Sequence, residues 1–454
     1  MRGRLGTRAV AGGLGVLSLL GYAAGFPRVA GSGDRVHVAY VALFVGLHIL
    51  YLLAAWVVLR RSSGDRALLG MVLGFGLLFR LAVLPSPVLL SSDAYRYLWD
   101  GRVQWAGVNP YRYAPAAPEL APLRDPLVYP QINRPTKPTV YPPGAQVSFA
   151  LVTGIAPDRI LAWRLFLLGC EVATGALLLG LLQRIGVPGA AVLLYAWAPL
   201  AVFEGVQAGH VDVAFLPALL LALRWRQEGR MARAGGALGV AVLVKLYPAV
   251  LLLAWWRRGE WRFPAACAAV VAAGYLPYLV GAGTGVVGFL PEYFGSAEDF
   301  NIGLRFFLTE GIGLGGEVAR GAAMLLLFGA LLAVLLRIGR HRAEDPSGVF
   351  RAGMGAAAAY LVLVPTAMHA WYAVWILPFL TVRVSSAWLW FSGAVALSYL
   401  TYAWEPAGFP FWVRALEFFP LYGLLAWEWL GGRAPRAASD RARRWRPGVV
   451  RHPP

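Results

Sequence analysis

One long polar stretch, residues 91–139, interrupts a chain in which apolar runs otherwise dominate. It is dense in aromatic residues, arginine, aspartate and proline, and Asp93 stands at its start. A carboxylate in this position can take a proton from a hydroxyl group, which is the part that a general base plays in group transfer. The plainer interpretation is that Asp93 caps the helix that begins there, and the sequence alone leaves both open.

A group transfer from a phosphorylated lipid has a second requirement, which is a set of cations. They hold the departing phosphate and neutralise the charge on this leaving group. The candidates are Arg96, Arg102, Arg134, Lys137, Lys245 and Arg305. Arg96 and Arg102 could equally contact lipid headgroups, and Asp100, one helical turn after Arg96, could be only its ion-pair partner. The third requirement is an apolar groove that holds this lipid, and the apolar runs of the chain supply its walls.

Four further ionisable residues lie beside or within apolar runs, where a charge is costly and indicates function. Glu204, His210 and Asp212 fall close together between two such runs. His210 and Asp212 have the spacing of a metal pair, but two ligands do not make a metal site, and a polar pair that holds a helix break is the alternative. Lys245, inside an apolar run, needs Glu204, Asp212 or a substrate phosphate as its partner, unless it snorkels to the membrane surface.

An aromatic cluster with one histidine occurs late in the chain, at His369, Trp371 and Tyr372. His369 could contact a phosphate or a sugar, and the two aromatic rings could stack on a sugar face. The alternative is an ordinary aromatic belt at the membrane surface.

The elements that must position these residues are transmembrane helices. Hydrophobic residues make up 59% of the chain and charged residues 14%, against about 25% charged residues in a soluble domain. Apolar runs of about 20 residues recur from end to end, and none shows the short alternating strands of a β-barrel. The sequence therefore predicts an all-α, polytopic transmembrane helical bundle of about 12–14 spans. The predicted spans are 9–26, 37–59, 67–88, 141–156, 161–182, 188–204, 210–225, 233–256, 262–281, 318–338, 351–368, 370–383, 386–403 and 411–430.

Proline interrupts several of these stretches. The positions are Pro199, Pro217, Pro248, Pro277 and Pro378. Broken helices at membrane depth line cavities that are walled by protein, because their free backbone groups cannot face lipid. The pattern therefore indicates an internal cavity.

The net charge of +18 comes almost entirely from arginine, since the only lysines are Lys137 and Lys245. A basic excess can indicate nucleic-acid binding, but arginine clusters between spans orient a membrane protein, so we expect no nucleic-acid partner. Clusters placed in the cytoplasm leave the loop 89–140 outside, which predicts a multi-pass protein of the inner (plasma) membrane in contact with membrane lipid. The number of crossings within 141–188 stays open.

We expect a single transmembrane domain over residues 1–430, of which 89–140 form the extracytoplasmic loop. The tail 431–454 is basic and contains proline, which predicts a disordered cytoplasmic segment. Cys170 and Cys267 lie in apolar segments, so they support neither a disulfide framework nor a cysteine metal site.

Short motifs follow one another in a definite order along residues 67–400. In and just after the loop they are Asp93-x-x-Arg96-Tyr97-x-x-Asp100-Gly101, Gly107-Val108-Asn109-Pro110-Tyr111 and Tyr141-Pro142-Pro143. Later they are Ala196-Trp197-Ala198-Pro199-Leu200, Glu204, Gly209-His210-x-Asp212, Lys245-Leu246-Tyr247-Pro248, Phe300-Asn301 and His369-x-Trp371-Tyr372. Each is weak alone. Their order and placement resemble the GT-C superfamily of integral membrane glycosyltransferases, and most of all the bacterial polyprenyl-phosphate-mannose-dependent mannosyltransferases.

This resemblance implies the GT-C fold and transfer of a hexose, with mannose as the first choice, from a polyprenyl-phosphate donor. The acceptor would be a glycan, a lipid or a protein on the extracytoplasmic face, and the anomeric centre would be inverted. Asp93 would be the general base, and neither a metal nor another cofactor is implied. Some relatives carry Asp-x-Asp in this loop, whereas this chain has Asp93 with Asp100 as support, and its two extra N-terminal spans also depart from the simplest members.

The residues that we expect to bind substrate combine these motifs with the clusters above. They are Arg96, Tyr97, Asp100, Arg102, Asn109, Tyr111, Lys137, Tyr141, Glu204, His210, Asp212, Lys245, Arg305, His369, Trp371 and Tyr372.

A transporter or flippase of a lipid-linked or anionic solute is the main alternative, because broken helices and buried ionisable residues suit it as well. The chain shows no internal repeat, however, and its polar residues gather at one face rather than at the midplane. A ligase of the O-antigen type would also use a long outer loop, but that class carries the loop late in the chain.

Overall fold

The structure is a computed structural model that describes residues 2–61, 64–291, 300–313, 316–341, 345–363, 367–404 and 408–431. Every regular element among these residues is helical, which confirms the predicted all-α, polytopic architecture. The tail predicted to be disordered lies outside the described residues from 432 onward.

The α-helices of the described residues are α1 (Arg2–Ala30), α2 (Val36–Arg61), α3 (Arg66–Val83), α4 (Asp93–Trp105), α5 (Pro143–Ile155), α6 (Ile160–Arg184), α7 (Leu193–Ala196), α8 (Pro199–Ala201), α9 (Leu216–Gln227), α10 (Met231–Val244), α11 (Val250–Trp255), α12 (Arg262–Ala282), α13 (Leu304–Leu308), α14 (Glu317–Arg340), α15 (Pro346–Leu363), α16 (Leu377–Leu380), α17 (Ser386–Ala394) and α18 (Phe411–Gly431). A π-helix covers Val202–Gln207. The 3-10 helices are Gly33–Arg35, Pro118–Leu123, Tyr129–Gln131, Gly189–Val192, Val211–Val213, Tyr247–Ala249, Gly283–Val287, Glu310–Ile312, Ala370–Ile376 and Val395–Tyr402.

Six helices of the described part of the chain are long and apolar enough to cross a membrane. They are Leu5–Ala30, Gly33–Arg60, Arg66–Val83, Ile160–Arg184, Arg262–Val287 and Glu317–Arg340. A bent pair, Gly189–Ala196 and Pro199–Gln207, would make a seventh. The prediction of about 12–14 spans counted every apolar stretch as one crossing, whereas the structure divides several of them into shorter helices.

The bent pair turns by 55° where α7 gives way to α8. Pro199 begins α8, where its missing N–H costs no hydrogen bond. The break leaves the carbonyl of Ala196 without a helical partner, and Arg80 of α3 donates to that carbonyl from Nη1 at 2.6 Å. Arg80 also pairs with Glu171 of α6. A buried ion pair thus holds three helical segments together at the break.

The two N-terminal helices support the π-helix through one aromatic ring. Phe203, in the π-helix, packs against Phe26 of α1 at 4.8 Å between ring centroids, and against Tyr40 and Phe44 of α2 at 5.1 and 4.7 Å. All four side chains are buried. The extra N-terminal spans, α1 and α2, therefore pack against the π-helix that carries Glu204 and support it.

The start of the long polar loop is tied to the end of the π-helix by Arg164 of α6. Its Nη1 donates to the carbonyls of Leu84 at 3.0 Å and Ser86 at 2.5 Å. Its Nη2 donates to the carbonyl of Gln207, and the Gln207 side chain in turn donates to the carbonyl of Pro87 at 2.9 Å. Asp93 and the Glu204–Asp212 cluster are thereby brought to one end of the bundle.

Helix α4 packs closely against α5, and Trp105 at its end donates to the carbonyl of Ala150 at 2.7 Å. Gly101 makes the close approach possible, because a Cβ there would collide with Thr153 and with the carbonyl of Phe149. The remainder of the loop folds over α4 in short 3-10 turns, and Trp99 packs on Tyr129 at 5.3 Å between ring centroids.

Loss of the charged partner of Glu171 should destabilise the protein strongly. Arg80→Leu leaves the Glu171 carboxylate buried without its cation, and we expect the free energy of unfolding to fall by about 3–5 kcal/mol. The double variant Arg80→Leu/Glu171→Gln should recover part of that loss, because no uncompensated charge remains. Unfolding of the purified protein in detergent measures both.

Arg224 is the matched control, since its pair with Glu228 lies at the surface and Arg224→Leu should change stability little. Equal losses in Arg80→Leu and Arg224→Leu would contradict the role given to the Arg80–Glu171 pair.

Candidate functional site

A cavity of about 160 Å³ opens beside the first turn of α4, and we call it the Asp93 cavity. Its lining residues are Asp93, Arg96, Asn133, Arg134, Val140, Tyr141, Lys245, Phe289, His369, Trp371 and Tyr372. The catalytic candidate thus shares one cavity with six of the predicted substrate-binding residues, namely Arg96, Tyr141, Lys245, His369, Trp371 and Tyr372.

Asp93 is the first residue of α4, and its carboxylate is held by side chains rather than by the N–H groups of the helix. Asn133 donates to Oδ1. The hydroxyls of Tyr141 and Tyr97 reach Oδ2 at 3.3 and 3.5 Å, which is longer than the usual O–H···O distance of about 2.5–3.0 Å. The geometry does not match a helix cap, and Oδ2 keeps capacity to accept a further hydroxyl proton.

Arg96 and Asp100 form a buried ion pair one helical turn apart, at 2.8 Å. Arg96 also donates from Nη1 to the carbonyl of Lys137 at 3.2 Å. The second oxygen of Asp100 accepts from Gln146 of α5 at 3.0 Å. Asp100 is therefore the partner that holds Arg96 at the edge of the cavity, and it is not among the lining residues.

Lys245 follows the end of α10 and points its ammonium group towards Asp212. The Nζ–Oδ2 distance is 3.1 Å, and Tyr247 donates to the other oxygen of Asp212 at 2.7 Å. Nζ also lies 5.4 Å from the ring centroids of both Tyr141 and Tyr372. Of the partners considered for this lysine, the structure therefore provides Asp212, and it adds two aromatic rings.

Glu204 and His210 lie behind the cavity, both fully buried. Glu204 accepts from His210 Nδ1 at 3.0 Å, and Tyr399 donates to both of its oxygens at 3.0 Å. The other ring nitrogen of His210 is hydrogen-bonded to the Ser91 hydroxyl at 2.9 Å.

Four rings stack in a row, and the two in the middle, His369 and Trp371, line the cavity. Phe300 packs on His369 at 4.6 Å, His369 on Trp371 at 4.3 Å, and Trp371 on His210 at 3.9 Å between ring centroids. The planes differ by 15°, 5° and 21°. Trp371 thus joins the two histidines that the sequence placed in separate clusters, and the faces of His369 and Trp371 are covered by their neighbours in the stack.

Two predicted binding residues of the loop serve its folding instead of the cavity. Asn109 donates to the carbonyl of Tyr278 at 2.7 Å, and Tyr111 donates to the carbonyl of Tyr141 at 2.6 Å. Both side chains anchor the loop, and Tyr111 acts on the cavity only through the backbone of Tyr141.

Three predicted cations are not among the lining residues. Arg102 pairs with Asp125 and, at 2.7 Å, with Asp158. Arg305 is buried in α13 and lies 3.5 Å from the sulfur of Met324. Lys137 meets the site through its backbone carbonyl, which accepts from Arg96.

The site contains residues that the sequence analysis did not single out. Asn133, which donates to Asp93, stands in a polar run between prolines and has no periodic signal. Phe289 lines the cavity, and the Arg134 guanidinium lies 5.5 Å from its ring centroid. Tyr399, the donor to Glu204, looked like one more apolar position of a span. Tertiary contacts alone identify these three partners.

No group of three or more His, Cys, Asp and Glu side chains within the described residues could hold a metal ion. His210 and Asp212, the pair with metal-ligand spacing, have separate partners in Glu204 and Lys245. That no metal or cofactor is needed stays a prediction.

Comparison with known proteins gave one match. Residues 6–257, more than half of the chain, match the model of the MptA_B family, described as alpha-(1->6)-mannopyranosyltransferase, N-terminal domain. Neither a curated protein nor a solved structure matched. The matched region contains Asp93, Glu204–Asp212 and Lys245.

His369 should make the protein sensitive to acid. Burial in the ring stack lowers the pKa of His369 to about 3, whereas the unfolded chain binds the proton near pH 6.5. As the pH drops below about 6.5, the unfolded state binds this proton and the folded state does not. The free energy of unfolding therefore falls, by about 2 kcal/mol at pH 5 from this group.

Thermal unfolding between pH 7 and pH 5 measures this loss, and His369→Gln should show a smaller one than the unchanged protein. His341→Gln is the control, because His341 is exposed. An identical loss in His369→Gln and in the unchanged protein would exclude His369 as the source.

Proposed function

Because the chain belongs to the MptA_B family of alpha-(1->6)-mannopyranosyltransferases and is therefore a glycosyltransferase, we propose that it transfers mannose from a polyprenyl-phosphate donor to an acceptor hydroxyl. The reaction takes place in the Asp93 cavity. The observation that carries this proposal is the convergence of a carboxylate with one loosely held oxygen, three cations and an aromatic wall on one cavity. These are the groups that deprotonation, phosphate departure and sugar binding require.

Asp93 acts as the general base. Its Oδ2, approached by Tyr97 and Tyr141 only at 3.5 and 3.3 Å, takes the proton of the acceptor hydroxyl. The acceptor oxygen forms a bond to the anomeric carbon while the bond from that carbon to the phosphate oxygen breaks. One displacement of this kind inverts the anomeric centre and releases polyprenyl phosphate.

Lys245, Arg134 and Arg96 hold the phosphate. All three line the cavity, and cationic donors bind phosphate oxygens more strongly than neutral donors do. Asp212 compensates the charge of Lys245 at 3.1 Å before the donor arrives, so the ammonium group is already in place when the leaving group develops its charge.

The aromatic wall binds the sugar. His369 and Trp371 turn their ring edges to the cavity, because their faces are covered within the stack. Tyr372 also lines the cavity and stands at 89° and 87° to these two rings, so its face can pack on the C–H face of a pyranose. Glu204 acts from behind this wall, since it fixes His210, on which Trp371 stacks at 3.9 Å. Glu204 and His210 are therefore positioning residues.

The cavity lies on the extracytoplasmic face in this proposal. Helix α9 begins near Asp212 and ends near Arg226, and α10 returns from Met231 to Lys245. Arginines gather at the far ends of both helices, where Arg226 is followed by Arg230 and Arg233. By the positive-inside bias this basic end faces the cytoplasm, and the cavity end faces away from it.

Asp93→Asn should abolish most of the transfer. An amide cannot take the proton, so we expect kcat to fall by about 10²–10⁴-fold. Release of polyprenyl phosphate from purified protein in lipid, supplied with polyprenyl-phosphate mannose and a panel of acceptors, measures the rate.

Asp158→Asn is the matched control, because Asp158 pairs with Arg102 outside the cavity, and it should keep kcat. Full activity of Asp93→Asn would remove the base assignment. Product formation from another lipid-linked sugar but none from the mannose donor would remove the proposed donor.

Arg134→Gln should weaken donor binding more than it slows the chemical step. Loss of one charge-assisted hydrogen bond to phosphate costs about 1.5–3 kcal/mol, so we expect KM for the donor to rise about tenfold or more. Arg102→Gln, whose partners are Asp125 and Asp158, should leave that KM unchanged. KM suits the comparison because it does not depend on the amount of folded enzyme, and equal increases in both variants would contradict a phosphate contact at Arg134.

A further inference from the structure

A second and larger cavity, of about 710 Å³, lies between the turn that follows α11 and the last turns of α14. We call it the arginine groove. Its lining residues are Leu253, Trp256, Arg257, Arg258, Glu260, Leu336, Gly339 and Arg340. None of them belongs to the Asp93 cavity or to the residues that support it.

The two cavities lie at opposite ends of the helices that connect them. Helix α10 covers 14 residues, which corresponds to about 20 Å at 1.5 Å per residue. One of its ends leads into Lys245 in the Asp93 cavity, and the other begins beside Arg226, whose Nη1 contacts the sulfur of Met231 at 3.1 Å. The arginine groove is therefore a separate site and no extension of the first.

Buried contacts hold the two sides of the groove in place. Arg226 is buried, donates from Nε to the carbonyl of Trp255 at 3.0 Å, and pairs with Glu260 at 2.7 Å, which holds both ends of the turn. On the other side Gly339 lets α14 approach closely, since a Cβ there would lie 2.6 Å from the carbonyl oxygen of Leu253. The space between is thus set by buried contacts.

The charge of the groove is strongly positive. Arg257, Arg258 and Arg340 line it, and the side chains of Arg258 and Arg340 are exposed. Glu260 is the one carboxylate of the lining, and its charge is compensated by Arg226. An anion that enters the groove therefore meets three guanidinium groups and no uncompensated carboxylate among the lining residues.

The rest of the lining is apolar. Leu253, Leu336 and Trp256 form the walls, and Leu336 and Trp256 are exposed on the surface of the bundle. A free phosphate ion would leave these walls unused, and a zwitterionic lipid would bring its own cation towards the arginines. A lipid with an anionic headgroup matches both parts of the lining, because its headgroup can meet the arginines and its acyl chains the apolar walls.

We propose that the arginine groove binds one anionic phospholipid. The arginines hold the headgroup phosphate, since the planar guanidinium fork matches phosphate oxygens, and the acyl chains lie along Leu253, Leu336 and Trp256. Basic pockets between membrane helices recognise anionic headgroups in this way. The inference uses only groove residues and does not depend on the proposed mannosyl transfer.

The test measures binding of phosphatidylglycerol, labelled with a fluorophore on one acyl chain, to the full-length protein in detergent micelles. Each arginine near a membrane surface changes the affinity for anionic lipid by about fivefold. Arg258→Gln/Arg340→Gln should therefore weaken binding by about 25-fold. Unlabelled phosphatidylglycerol should displace the probe, whereas phosphatidylcholine and inorganic phosphate at the same concentration should not.

The matched control is Arg224→Gln/Arg351→Gln, which removes the same charge from exposed pairs outside the groove and should keep the affinity within about twofold. Leu336→Gln tests the apolar wall with no change of charge and should also weaken binding. Equal weakening in the control variant, or equal competition by phosphatidylcholine, would overturn the proposal. Displacement by inorganic phosphate would identify a free anion as the ligand and overturn it as well.

Discussion

Backbone that leaves the helical pattern at membrane depth must find its hydrogen bonds inside the protein, and in this fold the guanidinium of Arg164 meets much of that need. It donates to the carbonyls of Leu84, Ser86 and Gln207, each of which would cost several kcal/mol if left in an apolar setting. The first two carbonyls lead into the segment that begins with Asp93, and the third ends the π-helix that carries Glu204. One side chain thereby brings the two halves of the site together.

Two of the cations that line the Asp93 cavity, Lys245 and Arg96, are paired before any substrate enters. Lys245 has Asp212 at 3.1 Å, and Arg96 has Asp100 at 2.8 Å. Such pairing lets ions persist at low dielectric and keeps them oriented, which is the condition for electrostatic stabilisation of a developing charge. Asp93 differs, since one of its oxygens has only two long contacts from tyrosine hydroxyls. That difference favours Asp93 over Asp100 as the proposed base.

The sequence predicted the fold class. It also predicted those cavity residues whose charge has a high energetic cost in its surroundings, as the charge of Lys245 has inside an apolar run. It could not separate Arg96 from Arg102, because both lie on α4 and only the folded loop brings Asp125 and Asp158 to Arg102. Asn133 had no signal, since an amide in a loop follows no period. The helix break at Pro199 was predictable from its missing N–H, whereas the π-helix after it depends on packing against α1 and α2.

Arginine and lysine have different roles in this chain. Arg80, Arg164 and Arg226 are buried and each donates to backbone carbonyls, two of them at breaks between helical segments, because a planar fork with five donors can satisfy several acceptors at once. Lysine lacks that geometry, and the chain contains only Lys137 and Lys245. Under the proposed function Lys245 brings a compact point charge on a flexible stem to the phosphate, beside the planar forks of Arg96 and Arg134. A flexible point charge can move with a departing phosphate, whereas Arg80, Arg164 and Arg226 are held in place by the carbonyls to which they donate.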